Sequence, residues 1–364
     1  MRSCAIWFSL SVLSLGLQHL SAASPGAVEV LYSRGAFPII ARGLSLVSSP
    51  FPFSIAELTV GVSALLLISW IAGAIRALRQ KPGARRRAIV RQAAFILPFL
   101  CALHSGFVVL WGLNYNRQPF GHIAGLASRP ASVDDLAALC DNLCRRANYL
   151  RLHVSEDSAG AMRLNDSIPA ALRRASLGYD AASVTYPVLG GQYSAPKAVF
   201  SSDLWSYTGI GGMYWPFTGE ANINIAVPAS SIPATACHEM AHQRGFARED
   251  EANYIAYVAC RLHPDADFQY SGALLGLNNA MAELRRRNPG RYAVIRGQYS
   301  EGVARDLALV DSFWRAHEGP VERFSDEVND RYLKANGQSD GVLSYGRMVD
   351  LLLAEYLGAR TEGS

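Results

Sequence analysis

The sequence predicts a membrane protein with N-terminal transmembrane α-helices followed by a mostly α (α+β) domain outside the cytoplasm. Three observations predict it. The long apolar runs fall within the first 113 of 364 residues. Seven Lys and Arg between Arg76 and Arg91, with no acid among them, separate two of those runs. The rest of the chain carries charges throughout, as an ordinary globular domain does. Half the residues are hydrophobic and mean hydropathy is +0.10, high for a soluble enzyme, with the excess in the N-terminal part.

Residues 5–22, "AIWFSLSVLSLGLQHLSA", read as the first span. "SAAS" also offers a signal-peptide cleavage site after Ala23, but Gln18 and His19 spoil a small-residue exit, so a retained span is preferred. Residues 24–54 hold Pro25, Pro38, Pro50 and Pro52 among scattered apolar residues, which suggests an interfacial loop or short helix lying on the membrane. Residues 58–75, "LTVGVSALLLISWIAGAI", and 93–113, "AAFILPFLCALHSGFVVLWGL", are each long enough to cross the hydrocarbon core as a helix.

The basic segment 76–91 between these two spans sets the orientation. Short basic loops stay cytoplasmic, so residues 24–54 and everything after Leu113 face outward. For a bacterium this is a multi-pass protein of the inner membrane. The basic run lacks interleaved aromatics, so its partner is the lipid bilayer and not nucleic acid. A transporter is disfavoured, because His104 is the sole clearly ionisable group away from the span ends. Two units follow: a membrane domain, 1–113, and an outer domain, 114–364.

The outer domain opens with a turn-rich linker, "LNYNRQPFGHIAGLASRPAS". Ser132 and Asp135 then form a capping box for a helix that runs to Leu152. Cys140 and Cys144 lie one turn apart on it and read as packing thiols. Residues 179–227 break into short apolar runs among Gly, Pro and Ser, with "ANINIAV", 221–227, as the best strand, although no partner strand is obvious. "GIGGMY" lacks the Lys-Ser/Thr of a phosphate loop and reads as flexible or close-packed backbone. The remainder is helical: "ATACHEMAHQR", stopped by Gly245; "EDEANYIAYVACRL", stopped by Pro264; and stretches at 272–286, 300–317, 322–335 and 342–357.

The chemistry concentrates in "CHEMAHQRGFAREDEANYIAYVAC". On a helix His238 and His242 project from one face a turn apart, the spacing two imidazoles need to grip one zinc ion. Glu239 beside them can take a proton from a zinc-activated water and later deliver one to a leaving amine. A catalytic zinc takes a third protein ligand and keeps one position open. Glu249 and Glu251 are on offer from the next helix, about 200° apart around it, so both cannot face the metal.

"HEMAH" followed by "EDEAN" resembles the gluzincin metallopeptidases. The resemblance implies that Glu249 is the third zinc ligand and that Asn253, four residues on, supports a metal-binding histidine. Asn in place of the commoner Asp, and only six residues between His242 and Glu249, depart from the pattern and leave Glu251 open. A metzincin fits less well, because its third ligand would fall on Arg248. More narrowly, "PFTGEANIN", the zinc motif and "YLKANGQ...GVLSYGRMVDLLL" resemble an uncharacterised family of bacterial membrane proteins with three N-terminal spans.

What the resemblance implies is a zincin-like outer domain: a membrane-anchored, Zn2+-dependent metallopeptidase acting on a peptide or protein substrate. It also implies that "ANINIAV" offers its edge to that substrate. Tyr332, Tyr345 and Arg347 are candidates for stabilising the oxyanion. If the two motif helices run antiparallel, Cys237 and Cys260 come close enough to pair as a disulfide or to pack as thiols. The rival reading is a non-catalytic membrane-anchored scaffold. Its metal, if any, would be closed by a fourth ligand among Cys237, Glu251 and His263.

Overall fold

The computed structural model describes residues 2–126, 130–338, 341 and 347–362. Helix α1 (Arg2–Ala22) turns through 107° into α2 (Pro25–Ser48), and α3 (Ile55–Leu78) and α4 (Pro82–Leu110) follow. Two helices, α3 and α4, are long and apolar enough to cross a membrane, or three if the bent pair α1–α2 counts as one span. Little of the expected basic loop is a loop. Residues 79–81 form the turn, while the other basic positions extend α3 and α4 by a few turns.

The α2 segment is more than a surface element, which corrects the expectation for 24–54. Its middle, Val28–Ala36, is π-helical, with the Phe37 N–H donating to Tyr32 O five residues back. Pro38 brings no N–H, and the wider turn ahead of it accommodates the break in the ladder. This helix buries Phe37 and Ala41 in a cluster with Trp111, Tyr115, Tyr214 and Ala247. Its apolar residues are scattered because they face the domain on one side only.

Nor is the segment after α4 a linker. Asn114, Tyr115, Arg117 and Phe120 are all buried. Arg117 forms an ion pair with Glu29 at 2.9 Å, stacks 3.9 Å from the Phe246 ring, and donates to Gly245 O at 2.9 Å. Turn-forming residue types serve here as partners for distant chain, which local pattern does not reveal.

The domain is built on α5 (Val133–Arg151), α6 (Ser176–Thr185), α7 (Ile232–Gln243), α8 (Glu249–Leu262), α9 (Ala266–Arg287), α10 (Glu301–His317), α11 (Pro320–Ala335) and α12 (Met348–Glu362). Ser132 and Asp135 make the expected capping box, each side chain bonding the other's backbone N–H. Helix α9 packs along both α5 and α8, and the three share one core with α7. It begins at Ala266, a turn and a half before the apolar periodicity suggests. Helix α12 is described from Met348, so the first residues of the expected 342–357 helix lie outside the described residues.

Besides a two-stranded pair, β1 (Ser155–Glu156) with β2 (Met162–Arg163), there is a three-stranded sheet. It comprises β3 (Lys197–Ala198), β4 (Gly212–Trp215) and β5 (Glu220–Ile223) in the order β3-β5-β4. The strand sought in 221–227 is β5, and it has two partners: β3 runs parallel to it and β4 antiparallel, with Gly212 opposite Ile223. The central strand is fastened to the start of α3. Glu220 accepts from Ile55 N at 3.1 Å and Ala56 N at 2.7 Å, and Ser54 Oγ donates to Asn222 Oδ1 at 2.6 Å. A carboxylate at a helix N-terminus takes up N–H groups that have no partner within the helix.

Arg117→Met leaves Glu29 buried and uncompensated, and should destabilise the protein by about 3–5 kcal/mol. Denaturant unfolding in detergent micelles measures it. A loss below about 1 kcal/mol would show that the pair does not hold α2 to the domain.

Candidate metal centre

Helix α7 ends where Gly245 takes a left-handed φ of +80°, the conformation that lets the chain reverse. With six residues between His242 and Glu249, α8 returns against α7. The reversal brings His238, His242 and Glu249 together, with one ligand atom from each lying within 4.8 Å of the others. His238 Nε2 is 3.1 Å from His242 Nε2 and 3.1 Å from Glu249 Oε2, and His242 Nε2 is 3.6 Å from the same oxygen. Ligands about 2.0–2.1 Å from a tetrahedral zinc lie about 3.3–3.4 Å apart. The observed spacings bracket that value.

The tautomers sharpen this fit. His242 Nδ1 donates to Phe246 O at 2.7 Å, and His238 Nδ1 donates to Asn253 Oδ1 at 2.9 Å. With each Nδ1 committed as a donor, each neutral imidazole turns a bare Nε2 lone pair inward. Two lone pairs and a carboxylate oxygen then face one point without a donor among them, and a cation is what satisfies all three. Asn253 is the residue that fixes the orientation of the His238 ring.

The electrostatics follow. Burial opposes the charged form of His242, but the Glu249 carboxylate outweighs it and lifts the imidazole to about 9. Burial likewise pushes the Glu249 carboxyl up, yet the charge of His242 and hydrogen bonds from both histidines hold it well below the usual carboxylate range.

Glu239 stands beside this group and outside it. It is buried, its Oε2 has no hydrogen-bond partner, and burial raises its pKa against the lowering effect of His238 and His242. A Cβ at Gly212 would lie 2.6 Å from Glu239 Oε1 and 2.8 Å from its Cγ, so β4 approaches the acid only because position 212 is glycine. The "GIGGMY" stretch is thus close-packed backbone. Glu239, the three ligand candidates and β4 all border one cavity of about 890 Å³, walled also by Trp111, Tyr115 and Tyr332.

The other candidates go elsewhere. Glu251 accepts from Phe120 N at 2.9 Å and from Arg248 at 3.2 Å, on the opposite face of α8 from Glu249. His263 bonds Arg174 O and stacks on Phe268. Cys237 and Cys260 do come together as buried neighbours across α7 and α8, and both are free thiols. Cys140 and Cys144 are likewise buried and free. Among the described residues, no fourth His, Cys, Asp or Glu joins the group.

Of the oxyanion candidates, Tyr332 lines the cavity, Arg347 sits 3.6 Å from Asp250 outside it, and Tyr345 lies outside the described residues. Burial, with the charge of Glu249 added, pushes the Tyr332 hydroxyl up to about 12. Sequence reasoning missed Tyr115, whose hydroxyl donates to Tyr332 Oη at 2.9 Å, and Trp111, whose ring meets His242 edge-on at 5.7 Å. The signal available was an aromatic cluster, "LWGLNYN", directly after an apolar run. A further correction concerns the edge strand: "ANINIAV" supplies the central strand, and β4 is the one that faces the cavity.

Gly212→Ala should displace Glu239 and destabilise the fold by about 1–3 kcal/mol. Glu239→Ala in the same chain should recover much of that loss, since the nearest clash is with its side chain. Additive losses in this double-mutant cycle, read by denaturant unfolding, would mean that Gly212 is not reserved for Glu239.

No curated protein and no solved structure matches the chain. Residues 32–353 match the family described as "Protein of unknown function (DUF3810)", a stretch that includes α3, α4, both motif helices and every residue of the candidate metal centre. The chain belongs to the DUF3810 family.

Proposed function

We propose that this protein is a membrane-anchored, zinc-dependent metallopeptidase with its site outside the cytoplasm. One observation carries the reading. Three acceptor atoms from His238, His242 and Glu249 converge at tetrahedral spacing, beside a buried carboxylate whose Oε2 has no hydrogen-bond partner, at the wall of a cavity. A structural zinc would instead be closed by a fourth protein ligand.

His238, His242 and Glu249 would hold the metal. Zinc, when bound, supplies Lewis acidity and lowers the pKa of water in its open position. Glu239 accepts the proton of the attacking water at its free Oε2. The water's hydroxyl stays on the carbonyl carbon as the C–N bond breaks, and Glu239 passes the proton to the leaving amine. Burial raises the Glu239 pKa, which brings the carboxylate nearer to the proton affinity that a base and acid both need. Tyr332, kept protonated by burial and left with its own proton free by the bond it accepts from Tyr115, is a hydroxyl donor for the developing oxyanion. Edge strand β4 offers backbone groups to an extended peptide.

The basic turn between α3 and α4 supports the orientation, since positive residues favour the cytoplasmic side. With both spans crossing, the domain and the cavity fall outside.

Zinc content of the purified chain tests this reading first. Wild type and Glu239→Ala should each bind one zinc per chain, and His242→Ala should lose it. Hydrolysis of a quenched-fluorescent peptide pool should vanish in Glu239→Ala, by about 10²-fold or more. A wild type that binds no zinc after metal-replete purification would sink the proposal.

A further inference from the structure

The cavity is built against the ends of the spans. Phe107 in the last turn of α4 and Trp111 just beyond it form part of its wall. Phe217, on the turn between β4 and β5, packs so closely on the same helix that a Cβ at Gly106 would lie 3.1 Å from its ring. Strand β5 is hydrogen-bonded to the first turn of α3 through Glu220. The edge strand β4 lies one strand spacing, about 4.8 Å, farther on. The site thus stands at the level of the span ends.

Helix α11 borders the same cavity, and its C-terminal part lies against a span end. Near its C-terminus Tyr332 meets Phe107 of α4 edge-on at 6.0 Å. Near its N-terminus Glu322 and Asp326 flank Gly209, in the segment whose start is held by Glu57 of α3, which accepts from Phe200 N at 2.9 Å and Ser201 N at 2.7 Å. A helix that touches the end of one span and the segment bound to the start of the other runs along the membrane surface. Its sequence agrees: Val321, Phe324 and Val328 share the face that carries Tyr332, and they are 57%, 68% and 51% exposed. Phe200 and Leu204, next to the α3 terminus, are 86% and 70% exposed. Apolar residues on one face of a helix at this level are matched by lipid.

We infer that α11 lies in the membrane interface and that the cavity takes its substrate from the bilayer side. Resting on the peptidase reading, this makes the substrate class a membrane-anchored polypeptide, cut in the extended stretch just outside its anchor. Tyr332 and Val328 line the cavity from the same face that meets the lipid, so chain leaving the bilayer beside α11 passes directly to β4 and Glu239.

Two measurements on the full chain in phosphatidylethanolamine–phosphatidylglycerol vesicles test this. In the first, brominated lipids should quench the indole added by Phe324→Trp at least about twofold more than that added by Arg286→Trp, whose native side chain is 71% exposed on α9. Equal quenching overturns the inference whether or not the protein is a peptidase. In the second, zinc-loaded protein is given one quenched-fluorescent peptide pool with and without an N-terminal palmitoyl group. The anchored pool should be cut at least about tenfold faster, and Phe324→Glu should remove that advantage while leaving cleavage of the free pool unchanged. Equal cleavage of the two pools overturns the substrate class and leaves the peptidase standing. If α11 is quenched but neither pool is cut, the peptidase reading itself fails.

Discussion

The guanidinium of Arg117 joins three parts of the chain that sequence alone keeps separate. It forms a two-pronged pair with Glu29 of α2, lies over the Phe246 ring, and donates to the carbonyls of Arg244 and Gly245. Those carbonyls belong to the end of α7, where the helix leaves its last acceptors without internal partners. Gly245 can turn left-handed there only if its neighbours are satisfied, and that turn alone carries Glu249 back to the two histidines. An apolar triad of the same volume could be as stable. It would not supply two oriented donors to the turn, and the candidate metal centre depends on the turn.

Much of the site was legible in the sequence because its determinants are local. His238, Glu239 and His242 share one helix, and Glu249 and Asn253 share the next, so the 3.6-residue period fixes which side chains can meet. The choice between Glu249 and Glu251 illustrates the limit. Two residues apart on α8, they face opposite ways: one meets the imidazoles, the other Phe120 N and Arg248. Period says that only one can serve, while tertiary packing says which.

The illegible parts depend on long-range partners. Arg117 and Asn114 look like linker residues, yet they are buried against Glu29 and Ser33, more than eighty residues away. Strand β4 looks like a glycine-rich loop because Gly212 is there to admit Glu239, a reason that exists only once α7 lies beneath it. The prolines of α2 suggested a surface loop, but its π-helical turn absorbs one of them and keeps the helix buried on one face. Each miss falls at a position where the site or its attachment overrides local preference.

Glu220 plays for the membrane side the part that Arg117 plays for the metal side. Its carboxylate is fully buried and takes hydrogen bonds from two backbone N–H groups of α3, from Lys197 and from Thr218. So complete a set of donors offsets the cost of burying the charge, and it fixes the sheet to the span in one geometry. The candidate metal centre is then rigid with respect to two helix ends, while α11 buries one side chain, Leu333, near its C-terminus. In the proposed peptidase this division is functional. The atoms that hold zinc and move protons are fixed to within a hydrogen bond, and the wall toward the bilayer is the element able to shift as a chain passes.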